Sequence, residues 1–336
     1  MVLLVLGGFA WFGGGREKRK PIIPELSAPT DSQRTALQDQ LAELGDLFGQ
    51  AMEHGRDVQP ILERLDGLIA QYPESAAAHL LRGQVLAYAN QGEAALEAFE
   101  KSLEMEPRQA GVHVLAGTVA YKLRKLERAR THYETALSIE PGHSEYAVYL
   151  ANVQHKLGDD RSAVTTLLGA LRRDSKCHSA YALLSDIYAS QNKLSMALDQ
   201  IERALEVLPE REPSARTAYV LKQAGLLRRA NKPERALMSL AKLESGEQLR
   251  PDVMRATATC WAMLGKPGMA AEVYERALAV DPTNDHAAAE AVRWRLKAGD
   301  LDAARDNLNA LRRINPRHVD LPDLEAEFDQ AQGSQP

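Results

Sequence analysis

The sequence predicts an all-α fold, built as a solenoid in which helix–turn–helix repeats stack one on the next. The first observation is that FEKSLEMEP at residues 99–107 returns as YETALSIEP at residues 133–141, a shift of 34 positions. The second is a series of prolines in the same register, at residues 73, 107, 141, 209, 282 and 316. The third is an alanine twelve residues before each repeat end, at Ala95, Ala129, Ala163, Ala197, Ala236, Ala270 and Ala304.

Each repeat is predicted to contain two amphipathic helices, because apolar residues recur three and four positions apart. The alanine lets the two helices approach closely, and a larger residue four positions later fills the space beside it. These larger residues are Phe99, Tyr133, Leu167, Ile201, Leu240, Tyr274 and Leu308. The closing proline ends the second helix, since the residue before a proline is driven out of the helical region. The interval from Pro209 to Pro282 is two periods plus five residues, and we assign the insertion to Glu212–Arg216.

The chain divides into five predicted segments. Residues 1–15 are an apolar membrane anchor, and residues 16–31 are a basic, proline-containing linker. Residues 32–75 form an N-terminal helix pair that is either a degenerate repeat or a cap. Residues 76–318 hold about seven repeats, and residues 319–336 are a C-terminal capping helix and tail.

This repeat resembles the tetratricopeptide repeat family, whose second helix carries an A-x-x-x-F…P pattern within 34 residues. The resemblance covers roughly residues 42–318, as eight repeats, of which repeats two to eight start near 76, 110, 144, 178, 217, 251 and 285. Small residues occupy the family's glycine position at Gly83, Gly117, Ala151, Ser185, Ala224 and Ala258, whereas Val292 departs from it. The resemblance implies a right-handed α-solenoid that binds proteins and has no catalytic activity.

Composition and motifs argue against several other functions. The net charge is −5, and the chain is more acidic still outside the basic run Arg16–Lys20, so it matches nucleic acid poorly. Cys177 and Cys260 have neither the number nor the spacing of a disulfide framework or a zinc site. The sequence has no zinc-binding histidine motif, phosphate-binding loop or nucleophile elbow. We therefore predict a protein that is not an enzyme, with no cofactor, no metal and no small-molecule substrate.

The first residues, MVLLVLGGFAWFGGG, are followed at once by the basic run REKRK. Positive charge after an apolar segment retains it as an anchor and places the charged side in the cytoplasm, whereas in a signal peptide the charge comes first. We predict a single anchor in the inner (cytoplasmic) membrane, with the repeats facing the cytoplasm; the alternatives are a soluble or a periplasmic protein. As a helix the segment spans about 21 Å, short of a hydrocarbon core of about 30 Å, which suggests that the native chain starts upstream of Met1.

The resemblance also implies a groove for a partner, lined by positions 2, 5, 9, 12 and 13 of each repeat's first helix. Carried onto this chain, those positions give an apolar and aromatic stretch, a central polar stretch and a basic stretch. The residues are Leu80, Gln84, Tyr88, Val114, Thr118, Tyr121 and Lys122, then Asn152, His155 and Lys156, then Arg228, Arg229, Arg255, Arg293 and Lys297. We predict that the partner is a protein or peptide segment that carries an acidic stretch and an apolar one.

The predicted function is therefore that of a membrane-tethered scaffold, which organises an envelope-assembly or secretion complex. One alternative is a regulatory subunit of an enzyme complex. Another is an extracytoplasmic adaptor for polysaccharide or pilus export.

Overall fold

The computed structural model describes residues 31–333, with side chains from residue 35 to residue 333. The predicted anchor and nearly all of the predicted linker lie outside these residues and stay predictions. The described chain forms two compact bodies, residues 31–187 and residues 188–333. All the regular elements within residues 31–333 are helices, which confirms the all-α fold class.

The N-terminal body consists of helices that follow one another through short turns. They are α1 (Asp31–His54), α2 (Gln59–Gln71), α3 (Ala76–Tyr88), α4 (Gly92–Met105), α5 (Ala110–Lys122), α6 (Leu126–Ile139), α7 (Ser144–Lys156), α8 (Asp160–Arg173) and α9 (His178–Ser190), in which the boundary between the bodies falls. Within this body α3 packs on α4, α5 on α6 and α7 on α8, and successive pairs are joined by the packing of α4 on α5 and of α6 on α7.

The C-terminal body continues the same alternation of first and second helices. Its helices are α10 (Leu194–Val207), α11 (Pro213–Arg229), α12 (Pro233–Leu240), α13 (Ser245–Gln248), α14 (Pro251–Met263), α15 (Pro267–Val280), α16 (Asp285–Ala298), α17 (Leu301–Ile314) and α18 (Leu321–Gly333). Proline stands in the first turn of α11, α12, α14 and α15, where its missing N–H leaves no helical hydrogen bond unmade.

The turn between the two helices of a repeat contains a residue with positive φ at a constant position. These residues are Asn90, Arg124, Gly158, Asn192, Asn231, Gly265 and Gly299. They are 34 positions apart, except that Asn192 and Asn231 are separated by 39. Glycine and asparagine adopt this left-handed conformation most readily, and six of the seven residues are of these two types. The exception is Arg124, with φ at 62°. The backbone thus shows the period and the five-residue insertion without reference to the prolines.

The insertion lengthens the first helix of repeat six. Helix α11 has 17 residues, whereas α3, α5, α7 and α14 each have 13. It begins at Pro213, so four of the five residues to which we assigned the insertion lie in its first turn, with Glu212 as the N-cap.

The second helix of the same repeat is interrupted, which the sequence register did not predict. Helix α12 ends at Leu240 after 8 residues, and the short α13 follows. The Gln248 side-chain amide donates to the carbonyls of Ala241 (3.3 Å) and Leu243 (2.7 Å), so acceptors left by the interruption have a partner.

The alanines that define the register lie at the centre of the packing. All seven have no exposed surface. In repeats two and three the opposite helix carries glycine, and a Cβ built on Gly83 would lie 2.6 Å from the Phe99 ring. A Cβ on Gly117 would lie 2.8 Å from the Tyr133 ring. The aromatic rings therefore pack directly on the backbone of α3 and α5.

Helices α1 and α18 cover the two ends of the described chain. Helix α1 buries Leu37, Leu41, Leu44, Phe48 and Ala51, which recur three and four positions apart on one face. Helix α18 buries Leu321, Leu324 and Phe328 in a cluster with residues of α16 and α17. A repeat stack needs such end helices, because its last apolar face has no further repeat to cover it.

Candidate functional site

The predicted groove residues lie on the first helices of the repeats in both bodies. In the N-terminal body they belong to α3, α5 and α7. In the C-terminal body they belong to α11, α14 and α16.

Helix α3 offers less surface than the sequence predicted. Leu80 has no exposed surface and belongs to the core, so it cannot contact a partner in this structure. The Tyr88 ring packs edge-on against Phe48 of α1, with ring centroids 5.6 Å apart, and its hydroxyl donates to the Ala51 carbonyl at 3.4 Å. Gln84 is half-buried, and its Oε1 atom has no hydrogen-bond partner within the described chain. The pattern did not predict that α1 would contact Tyr88, because the first repeat departs from the register.

Helices α5 and α7 bring several predicted residues together. The Asn152 amide donates to the Tyr121 hydroxyl at 3.5 Å, which joins the two helices at this point. The Thr118 hydroxyl lies 2.8 Å from the Val114 carbonyl and 3.0 Å from the Tyr133 hydroxyl. We call Val114, Thr118, Tyr121, Lys122, Asn152 and Lys156 the N-terminal stripe.

Charge on the N-terminal stripe comes from its lysines. Partial burial lowers the pKa of Lys122 below its usual value, because the charged ammonium loses water contact. Lys156 is exposed. His155, also predicted, instead bonds Asp160 on α8, with Nδ1 2.6 Å from Oδ1.

In the C-terminal body, three of the five predicted basic residues are engaged within the fold. Arg293 forms ion pairs with Glu290 and with Asp320, the latter at 2.8 Å. Arg229 donates to the Ala189 carbonyl at 2.9 Å and to the Asn192 side chain at 3.4 Å. The Lys297 ammonium lies over the Trp294 ring, 4.4 Å from its centroid.

Arg228 and Arg255 differ from these three. Their guanidinium groups make no hydrogen bond or ion pair with residues 35–333; Arg255 is exposed and Arg228 is half-buried. The predicted row of five basic side chains is thus reduced to these two, which we call the C-terminal arginines. Sequence spacing alone did not show that Arg293 is paired within the fold, because its partner Asp320 lies beyond the last repeat.

The described residues give no arrangement of ligands for a metal. Within residues 35–333, no group of three or more histidine, cysteine, aspartate or glutamate side chains could hold an ion. Cys177 and Cys260 are both free and buried. Within residues 31–333, none of the helices combines the length and the apolar character that a membrane crossing requires.

Two sequence models of tetratricopeptide repeats match this chain. One matches residues 120–187 and 262–326, and the other matches residues 62–111 and 80–144. Together they cover more than half of the chain. No curated protein matches the sequence.

Many solved structures are similar to this chain in fold. The C-terminal part of a tetratricopeptide repeat protein from Cytophaga hutchinsonii is 18% identical, with 72% of this chain and 97% of that chain covered and a TM-score of 0.53. A tetratricopeptide repeat protein from Parabacteroides merdae is 16% identical, with 76% and 99% covered and a TM-score of 0.49. YrrB, described as having an unusual peptide-binding site, is 18% identical, with 58% and 97% covered and a TM-score of 0.42. On the sequence matches and the helix pairs together, this chain belongs to the tetratricopeptide repeat family.

Proposed function

We propose that the chain is a non-enzymatic scaffold that binds an extended protein segment along the first helices of its repeats. Membership in the tetratricopeptide repeat family supports a role in protein–protein interaction. The observation that carries the proposal is the hydrogen bond from Asn152 to Tyr121, which sets a side-chain amide beside an aromatic ring on a half-buried face. An asparagine amide has a second donor and an acceptor, and these can bond the backbone of an extended peptide.

The N-terminal stripe would take the apolar part of that segment. Val114 and Tyr121 are half-buried and offer apolar surface, while Lys156 adds a positive charge one helical turn from Asn152. A partner residue with an apolar side chain, followed by an acidic one, matches this combination.

The C-terminal arginines would take an acidic part of the partner. Arg228 and Arg255 keep guanidinium donors that no other side chain of the described chain uses, and guanidinium is the group best suited to carboxylates. Acidic residues facing them would gain charge-assisted hydrogen bonds without breaking an ion pair of the fold.

We further propose that the scaffold is tethered to the inner membrane, facing the cytoplasm, where it organises an envelope-assembly or secretion complex. The support is the apolar run at residues 2–12 with the basic run Arg16–Lys20 directly behind it. Both runs lie outside the described residues, so this part of the proposal rests on the sequence.

Photocrosslinking in cells tests the scaffold function. A photoreactive phenylalanine at position 121 keeps an aromatic ring in the stripe, and we expect it to form a crosslink to a specific protein. The control is the same residue at Glu97, which is exposed on the second helix α4. Equal crosslinking at both positions would show that the partner does not select the first-helix face, and no crosslink at position 121 would contradict the proposal.

Deleting residues 1–20 tests the tether. We expect the full chain to sediment with membranes and the truncated chain to stay in the supernatant, because the apolar run and its retaining charges are gone. Helical content by circular dichroism should be unchanged, since the described helices begin at Asp31. A full-length chain that stays in the supernatant without detergent would refute the tether and leave the scaffold proposal standing.

A further inference from the structure

Two histidines face each other within repeat three, on the side of α4 of repeat two. His113 on α5 and His132 on α6 approach with their Nδ1 atoms 3.2 Å apart. Their ring centroids are 5.4 Å apart, close to the separation of two imidazoles whose nitrogens point straight at each other. This geometry is that of an N–H···N hydrogen bond. We call His113 and His132 the histidine pair.

The surroundings of His113 fix the direction of this hydrogen bond. Its Nε2 atom lies 3.0 Å from the Pro107 carbonyl oxygen, which can only accept, so Nε2 carries a proton. In the neutral ring, Nδ1 is then an acceptor. For the hydrogen bond between the two Nδ1 atoms to form, His132 is then the donor, through its own Nδ1–H.

The far side of His132 limits how many protons the pair can hold. Its Nε2 atom lies 3.4 Å from Glu100 Oε1 on α4, and Arg128 donates to the same carboxylate at 2.6 Å. A first extra proton on His132 Nε2 would point at the Glu100 carboxylate and could be accommodated. A second could bind only at His113 Nδ1, where it would face the N–H of His132 and break the hydrogen bond.

We propose that the histidine pair is a pH-sensitive fastening within repeat three, beside Glu100 of repeat two. It joins α5 to α6 while it carries at most one extra proton, engages Glu100 on α4 when it carries that proton, and opens when the second proton binds. The charged and titratable groups that face His132 are His113 on α5, Glu100 on α4, and Arg128 on its own helix α6.

The fastening lies next to the N-terminal stripe. His113 directly precedes Val114, and His132 directly precedes Tyr133, whose hydroxyl contacts Thr118. Opening the pair would therefore displace residues of the stripe. An effect on partner binding rests on the proposed function, whereas the pH sensitivity of the fold does not.

The pKa shift of His132 agrees with a loss of stability at low pH. Burial is the largest influence on His132 and lowers its pKa, against the opposing pull of Glu100. A histidine whose folded pKa lies below its unfolded value, about 6.5, stabilises the fold above that value. This stability is lost as the pH falls from about 6.5 through the folded pKa, because the unfolded chain then binds more protons.

The preceding repeat provides a matched control. His79 occupies the position of His113 one repeat earlier, and its Nε2 atom lies 3.1 Å from the Pro73 carbonyl. The position equivalent to His132 is Ala98 there. The variant His132→Ala therefore gives repeat three the side chains of repeat two at these positions, and His79→Ala removes a histidine that has no such partner.

Hydrogen exchange of the full chain tests the proposal. The measured quantity is the protection of backbone amides in α5 and α6, corrected for intrinsic exchange rates. From pH 7.5 to pH 5.5 this protection should fall about tenfold more in the wild type than in His132→Ala. A tenfold difference corresponds to one additional proton bound by the unfolded state. His79→Ala should keep the wild-type pH dependence. Equal pH dependence in the wild type and His132→Ala would overturn the proposal.

Nitrogen-15 NMR of the wild type gives a second test that needs no substitution. At pH 7.5, His113 should be the Nε2–H tautomer and His132 the Nδ1–H tautomer. If both rings carry their protons on Nδ1, or if neither does, the hydrogen bond does not exist and the fastening is excluded.

Discussion

Replacing Gly83 with alanine is expected to destabilise repeats two and three, although alanine is the better helix former. The added Cβ would lie 2.6 Å from two atoms of the Phe99 ring, which is fully buried. Overpacking of this kind costs about 1–3 kcal/mol. Urea unfolding and hydrogen exchange of α3 and α4 would measure the loss.

Gly67 provides the control for helix propensity. It lies inside α2, is exposed, and has nothing within 4 Å of a Cβ built on it. Gly67→Ala should therefore stabilise the protein by up to about 1 kcal/mol, the propensity gain that Gly83→Ala shares. The difference between the free energies of unfolding of the two variants isolates the steric cost of the added methyl group at position 83. Equal stability of the two would show that the Phe99 ring can move and that the packing is looser than described.

A second substitution should rescue the first. In repeats four and five the same two positions hold Ala151 with Leu167 and Ser185 with Ile201, so a larger first residue accompanies a smaller, non-aromatic partner. The double variant Gly83→Ala with Phe99→Leu should recover part of the lost stability, and the coupling of a double-mutant cycle would measure the recovery. If the stability changes of the two single substitutions simply add in the double variant, residues 83 and 99 are not in direct contact.

The period of the fold could be predicted from the sequence because every repeat makes the same local contacts. Alanine at Ala95 and its equivalents, and the aromatic or aliphatic residue four positions later, depend only on the neighbouring helix. The break after Leu240 was not predicted, because the register continues through it. The Ser245–Gly246 pair was a signal for it, since both residues are poor helix formers in a helix interior.

The candidate site was harder to predict than the fold. Positions on the first helices were assigned by register, but exposure and charge pairing depend on residues outside the register. Leu80 is buried, Tyr88 is held by α1, and Arg293 is neutralised partly by Asp320, which follows the last repeat. The histidine pair was also missed, because its members are 19 positions apart and belong to different helices.

Reversing the C-terminal arginines to glutamate is expected to weaken partner capture by at least about tenfold at low salt, because like charges placed opposite an acidic segment repel it. The structure singles out Arg228 and Arg255 for this test. Their guanidinium groups bond no other side chain of the described chain, so the change breaks no ion pair of the fold. Reversing Arg293 instead would leave Glu290 and Asp320 unpaired and confuse binding with stability.

The matched control reverses Arg203 and Arg276, which are exposed on the second helices α10 and α15 and likewise make no side-chain ion pair with residues 35–333. Both double variants, Arg228→Glu/Arg255→Glu and Arg203→Glu/Arg276→Glu, change the net charge by the same amount. Binding of the crosslinked partner, measured across a salt series, should be weak at low salt and recover as salt screens the repulsion for the first variant, and should stay close to wild type for the second. If both weaken binding equally, the net charge of the protein steers the partner, and the C-terminal arginines are not its docking site.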